Sequence, residues 1–75
     1  MDRATETAIK AILLGLHRSR TISSAQLEGV IGELAFAAGD LAEKDAEAAA
    51  DIERLTQWLR DAVARDPVPV RRSRF

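Results

Sequence analysis

The chain has 75 residues, a formal net charge of −1, no cysteine and one histidine. Disulfides and metal sites built from cysteine and histidine are therefore excluded as supports for the fold. A single core of this size contributes only about 3 to 5 kcal/mol, so we expect a protein partner or self-association, most simply as a dimer.

A first helix is predicted over about residues 3–18. Asp2 precedes it and is suited to accept hydrogen bonds from the free amides of the first turn. The apolar residues that follow recur at steps of three and four and form one stripe: Ala8, Ile9, Ile12, Leu13 and Leu16. Leu14 falls off this stripe. His17, close to the helix end, is interpreted as interacting with the helix dipole, and not as a base or a metal ligand.

Residues 22–27 carry the clearest start signal in the chain. Ser23 is followed three residues later by Gln26, which is the spacing of a capping box. Ile22 and Leu27 flank the pair at the positions of a hydrophobic staple. A second helix is therefore predicted to begin at about residue 24.

The end of this helix depends on Gly39 and Asp40. The apolar positions of residues 27–63 keep one phase throughout, and their heptad spacing fits an uninterrupted rod. Against the rod, glycine is preferred just past a helix end, and Asp40 with Glu43 forms a second capping-box pattern. A rod would also be about 60 Å long, more than twice the length that the first helix can cover. We therefore predict a turn at Gly39 and Asp40, with helices over about residues 24–38 and 41–65.

The predicted fold is all-α, a small antiparallel three-helix bundle in one domain of residues 1–65. The alternative is a helical hairpin whose second helix is long and continuous, paired as a dimer. Asp66 precedes Pro67 and ends the last helix. Residues 66–75 then form an extended tail rich in proline and arginine, which we expect to be mobile.

Phe36 and Trp58 lie away from the main apolar stripe. Together with Leu14 they are predicted to anchor a protein partner, since exposed aromatic and apolar groups mark interaction sites. The alternative is that a three-helix bundle buries a second face of each helix. The end of the tail is the other predicted contact with a partner, through Arg71, Arg72, Arg74 and Phe75.

The sequence contains no catalytic, metal-binding or cofactor-binding pattern. The carboxylates of residues 40–53 are spread along a helix, so we interpret them as solvated surface. We predict a non-catalytic interaction protein with no cofactor: a regulatory, adaptor or accessory subunit that binds a larger protein. The alternative is a nucleic-acid-binding protein that uses its basic ends, including Arg18 and Arg20. No apolar run approaches the length of a membrane span, which predicts a soluble cytoplasmic protein.

Overall fold

A computed structural model describes residues 1–69 of the chain. Helix α1 covers Arg3–Arg18, α2 covers Ser24–Leu41 and α3 covers Ala46–Arg65. The described part contains no strand, and the three helices form the predicted all-α bundle. None of these helices combines the length and the apolar character that crossing a membrane requires.

Each helix begins at a side-chain N-cap. The Asp2 carboxylate accepts from the Thr5 amide at 2.7 Å. At the start of α2 the predicted capping box is present: the Ser23 hydroxyl accepts from the Gln26 amide at 3.1 Å, and the Ser23 amide donates to Gln26 Oε1 at 2.8 Å. These bonds satisfy amides of the first turn that have no partner within the helix.

The predicted turn at Gly39 and Asp40 is wrong in position. Helix α2 continues through both residues to Leu41, and the chain reverses over residues 42–45. Gly39 does not adopt a positive φ, so it does not use the left-handed backbone conformation that glycine reaches more easily than other residues. The cap of α3 is Asp45, whose carboxylate accepts from the Ala48 amide at 3.0 Å, so the predicted Asp40 cap does not form. The chain does turn, which excludes the continuous-rod alternative.

The longer α2 is favoured by burial at its C-terminal end. Ala38 is fully buried on the core side, and Leu41 is half-buried one turn later. The Leu41 carbonyl then accepts from the amides of Lys44 and Asp45, at 2.9 and 2.8 Å, which closes the turn. In the observed arrangement Leu41 is half-buried as part of α2, and the glycine inside the helix costs roughly 1 kcal/mol.

The core lies mainly between α2 and α3. These two helices pack closely, and the fully or nearly fully buried cluster consists of Leu27, Ile31, Leu55, Leu59 and Val63. Helix α1 covers this cluster with Ile9 and Leu13, which are only partly buried. His17 is the one side chain of α1 that is fully enclosed.

The first part of the tail is held against the bundle. The Val68 amide donates to Ser24 Oγ at 2.6 Å, and the Val68 carbonyl accepts from the Ser24 amide at 2.7 Å. The Val68 side chain is buried. The expectation of a mobile tail is therefore wrong for this residue, because two hydrogen bonds and an apolar contact fix it beside the start of α2.

Candidate protein-interaction surfaces

Leu14 and Trp58, two of the predicted partner contacts, lie together in a groove between α1 and α3. Trp58 is half-buried and packs against the core cluster. The Lys10 ammonium lies 4.4 Å from the centre of the indole ring, within the range of a cation–π contact. Much of the Trp58 surface therefore already makes contacts inside the protein, and Trp58 lines the groove together with Leu14.

Phe36 lies apart from this groove. It is 71% exposed and projects from the side of α2 opposite the core residue Leu27, from which it is nine residues or about 180° away. The glycines at positions 29, 32 and 39 flank it on the same helix, and a side chain added at any of them would meet no atom within 4 Å. The structure thus places one large aromatic group beside three glycines, with the exposed Glu33 and Asp40 about one turn away on either side.

A third exposed apolar surface was not predicted from the sequence. Ile12 is 62% exposed, Leu16 37% and Val30 38%, although the stripe pattern assigns all three to the core. The stripe of α1 is wide enough to be buried at more than one rotation of the helix. No signal in the sequence selects the rotation, because it is set by packing against the other two helices.

His17 lies in the last turn of α1, as predicted, and it is also enclosed by the bundle. It is 1% exposed, and its Nε2 lies 3.0 Å from Ser24 Oγ. A histidine beside a serine hydroxyl has the spacing of a base and a nucleophile. Here, however, the hydroxyl also accepts from the Val68 amide, and the histidine is closed off from solvent. Hydrogen bonds through Ser24 Oγ therefore connect α1, α2 and the tail.

The described charges form few close pairs. Asp51 binds both the N-terminal ammonium and Arg54, and Glu28 lies 3.9 Å from Arg60. The hydrogen bond from the ammonium lowers the pKa of the Asp51 carboxyl, and the same bond raises the pKa of the amine. The backbone amide of Thr5 lowers the pKa of Asp2.

The remaining predicted contacts fall into two groups. Arg18 and Arg20 are exposed at the end of the bundle where α1 meets α2, and Arg20 has the left-handed φ of 63°. Arg71, Arg72, Arg74 and Phe75 lie outside the described residues. Within residues 1–69, no cluster of three or more acidic, histidine or cysteine side chains forms a possible metal site.

Comparison with known proteins gave no relative: no family model, no curated protein and no solved structure matches this chain.

Proposed function

We propose that this protein is a small non-catalytic interaction protein, a regulatory, adaptor or accessory subunit that binds a larger protein through the Phe36 side of α2. The observation that carries the proposal is the 71% exposure of Phe36. An exposed phenylalanine leaves a large apolar surface in contact with water, which is unfavourable. Insertion of the ring into a pocket of a partner protein would bury this surface and stabilise the complex.

The surroundings of Phe36 support this use. Glycines at positions 29, 32 and 39 carry no side chain, so the backbone of another helix or loop can approach α2 closely on this side. The acidic residues Glu33 and Asp40 are also exposed on α2. The matching partner surface is an apolar pocket with basic groups at its edge.

A non-catalytic role is supported by the hydrogen bonds that the candidate reactive groups already make within the protein. Among residues 1–69, His17 and Ser24 are the one close pair with the spacing of a base and a nucleophile, and the Ser24 hydroxyl already accepts from the Val68 amide. The imidazole that would have to act as its base is 1% exposed.

The test compares three forms of the protein as bait in extracts of the source organism. Phe36→Ser should lose a partner that the wild type retains. Ile12→Ser is the matched control, since it removes a similarly exposed apolar side chain from another helix and should retain the partner. Identical sets of bound proteins for wild type and Phe36→Ser would contradict the proposal.

A second candidate function is nucleic-acid binding, and one observation favours it. The docking of Val68 on Ser24 places Pro69 in the same groove as Arg20, so the chain leaves the described region at the end that carries Arg18 and Arg20. Three further arginines follow in the sequence. Binding to DNA or RNA should weaken steeply with salt, and Arg18→Ala with Arg20→Ala should reduce that salt dependence. Absence of binding at low salt would eliminate this candidate.

A further inference from the structure

Three segments of the chain meet at His17. The imidazole belongs to the last turn of α1 and is 1% exposed. Its Nε2 lies 3.0 Å from the hydroxyl of Ser24, the first residue of α2. The same hydroxyl lies 2.6 Å from the amide of Val68, whose side chain is also buried. We call residues 67–69 the docked segment, since Val68 fixes them beside the start of α2.

The donors and acceptors of this group assign its protons. The Val68 amide can only donate, so the Ser24 oxygen accepts from it. The Ser24 hydroxyl has one proton of its own to donate, and within residues 1–69 the acceptor at hydrogen-bond distance is His17 Nε2. An imidazole nitrogen accepts only in the neutral ring, with the ring proton on the other nitrogen. The chain of bonds from Val68 through Ser24 to His17 therefore requires a neutral His17.

Protonation of His17 disrupts this chain of bonds. Both ring nitrogens of an imidazolium carry protons, so Nε2 would face the Ser24 oxygen as a second donor. The hydroxyl proton of Ser24 would then have no acceptor at this site among residues 1–69. The imidazolium would also be a cation with 1% of its surface exposed, which is costly because the charge loses its contact with water.

The charges on the elements around His17 do not favour a cation. On α2 the imidazole meets the helix start, where free amides favour anions. The first charged residue of α2 is Glu28, whose carboxylate lies 3.9 Å from Arg60. The docked segment has no charged side chain, and within residues 1–69 no carboxylate forms an ion pair with His17. Three basic residues and one acidic residue approach His17 from α1, the following loop and the end of α3: Arg18, Arg20, Arg65 and Asp66.

We propose that His17 is a proton-dependent switch for the docked segment. The neutral imidazole keeps Val68 attached through Ser24, and binding of a proton by His17 releases Val68 from the start of α2. Release also moves Pro69 out of the groove that it lines with Arg20, so the surface at this end of the bundle changes. The inference does not depend on the proposed role of Phe36, which lies elsewhere on α2.

The composition of the chain makes this switch simple to isolate. Histidine is the side chain whose charge normally changes between about pH 5 and pH 8, and the chain has one histidine and no cysteine. The hydrogen bond with Asp51 raises the pKa of the N-terminal amine, which moves its titration away from this range. Because docking and proton binding oppose each other, docking weakens as the pH falls through the titration of His17, by up to about tenfold per pH unit.

The first test is an NMR titration of the full chain from about pH 8 to pH 5. The ring protons of His17 report its charge, and the Val68 amide reports docking. Both should change with the same midpoint, and the protection of the Val68 amide, relative to the exchange rate of an unstructured chain at each pH, should fall by more than about tenfold. The Ala48 amide, held by Asp45 at the far end of α3, is the internal control and should keep its protection. A Val68 amide that stays protected to pH 5, or that changes with a midpoint different from that of His17, would overturn the proposal.

The second test removes the titrating group. The amide of glutamine offers an acceptor to the Ser24 hydroxyl but binds no proton in this range, so docking of Val68 in His17→Gln should be independent of pH. Arg18→Gln is the matched control: it makes the same kind of change at the next residue and should leave the titration of Val68 in place. Detachment of Val68 at acidic pH in His17→Gln would show that His17 is not the switch. The midpoints of the wild type decide the question even if this variant does not fold.

Discussion

Ser24 connects three parts of the chain with two polar groups. Its amide donates to the Val68 carbonyl, while its hydroxyl accepts from the Val68 amide and contacts His17 Nε2. The first residue of α2 is therefore also the attachment point of the tail and the partner of the one buried imidazole.

We predict that Ser24→Ala destabilises the protein by about 1 to 3 kcal/mol, because it leaves buried polar groups of His17 and Val68 without a partner. Hydrogen exchange at the Val68 amide provides a specific readout, and its protection should fall. Thr7→Ala, at an exposed position of α1, should leave this protection unchanged. Unchanged exchange at Val68 in Ser24→Ala would contradict the docked tail.

Gly39 is a glycine whose access to positive φ values is not needed by the fold. It lies in α2 without a positive φ, and open space surrounds the position of an added side chain. Gly39→Ala should therefore stabilise the protein, by up to about 1 kcal/mol, because alanine has the higher helix propensity. Thermal unfolding at fixed protein concentration measures this, with Ala37→Gly as a control of opposite sign. A lower midpoint for Gly39→Ala would place the end of α2 at residue 38 after all.

At the scale of the helices, the N-caps fix where each element begins. Asp2, Ser23 and Asp45 each accept from an amide of the following first turn. Asp40 has the same chemistry, but it lies inside α2 and caps nothing. The difference lies at Leu41, which is half-buried as the last residue of α2 and whose carbonyl accepts from the Lys44 and Asp45 amides.

This difference predicts opposite outcomes for two aspartates. Asp45→Ala should cost about 1 kcal/mol through the loss of a cap. Asp40→Ala should be neutral or slightly stabilising, since aspartate is a poor helix residue and an anion near a helix C-terminus is unfavourable. Chemical denaturation of both variants and the wild type measures the two free energies of unfolding. Equal losses would contradict the assigned boundary.

At the scale of the whole molecule, one ion pair joins the start of the chain to the middle of α3. The N-terminal ammonium and Asp51 share a hydrogen bond that raises the pKa of the amine and lowers the pKa of the carboxyl. Folding that lowers a carboxyl pKa stabilises the protein above the unfolded value of about 3.9, and the effect is lost as the pH falls. Folding that raises an amine pKa stabilises below about pH 8, and the effect is lost as the pH rises.

We therefore predict that the pair stabilises the fold most between about pH 4 and pH 8. Asp51→Asn should lower the thermal midpoint in this window, and the difference from the wild type should shrink towards acidic and strongly alkaline pH. Glu53→Gln, an exposed acid on the same helix, should show no such profile. A constant difference across the whole range would exclude the ion pair as its cause.

The sequence by itself determined the three helices and the starts of the first two. Apolar spacing defined the helices, and the local chemistry of Asp2 and of Ser23 with Gln26 defined two of the caps, because such signals need only neighbouring residues. The combination of these helices into a three-helix bundle also followed, since one long rod would have left its apolar face uncovered.

Only the tertiary structure decided how the helices are rotated and where the second turn lies. The turn could begin at Gly39 and Asp40 or before Asp45, and both positions carry adequate local signals. The structure selects Asp45, with Leu41 half-buried at the end of α2 and lining one surface depression with Ile52 of α3. The same holds for His17, enclosed by Ser24 and the tail, and for Ile12 and Leu16, left outside the core. Local sequence cannot specify these outcomes, because they depend on contacts between residues that are far apart in the chain.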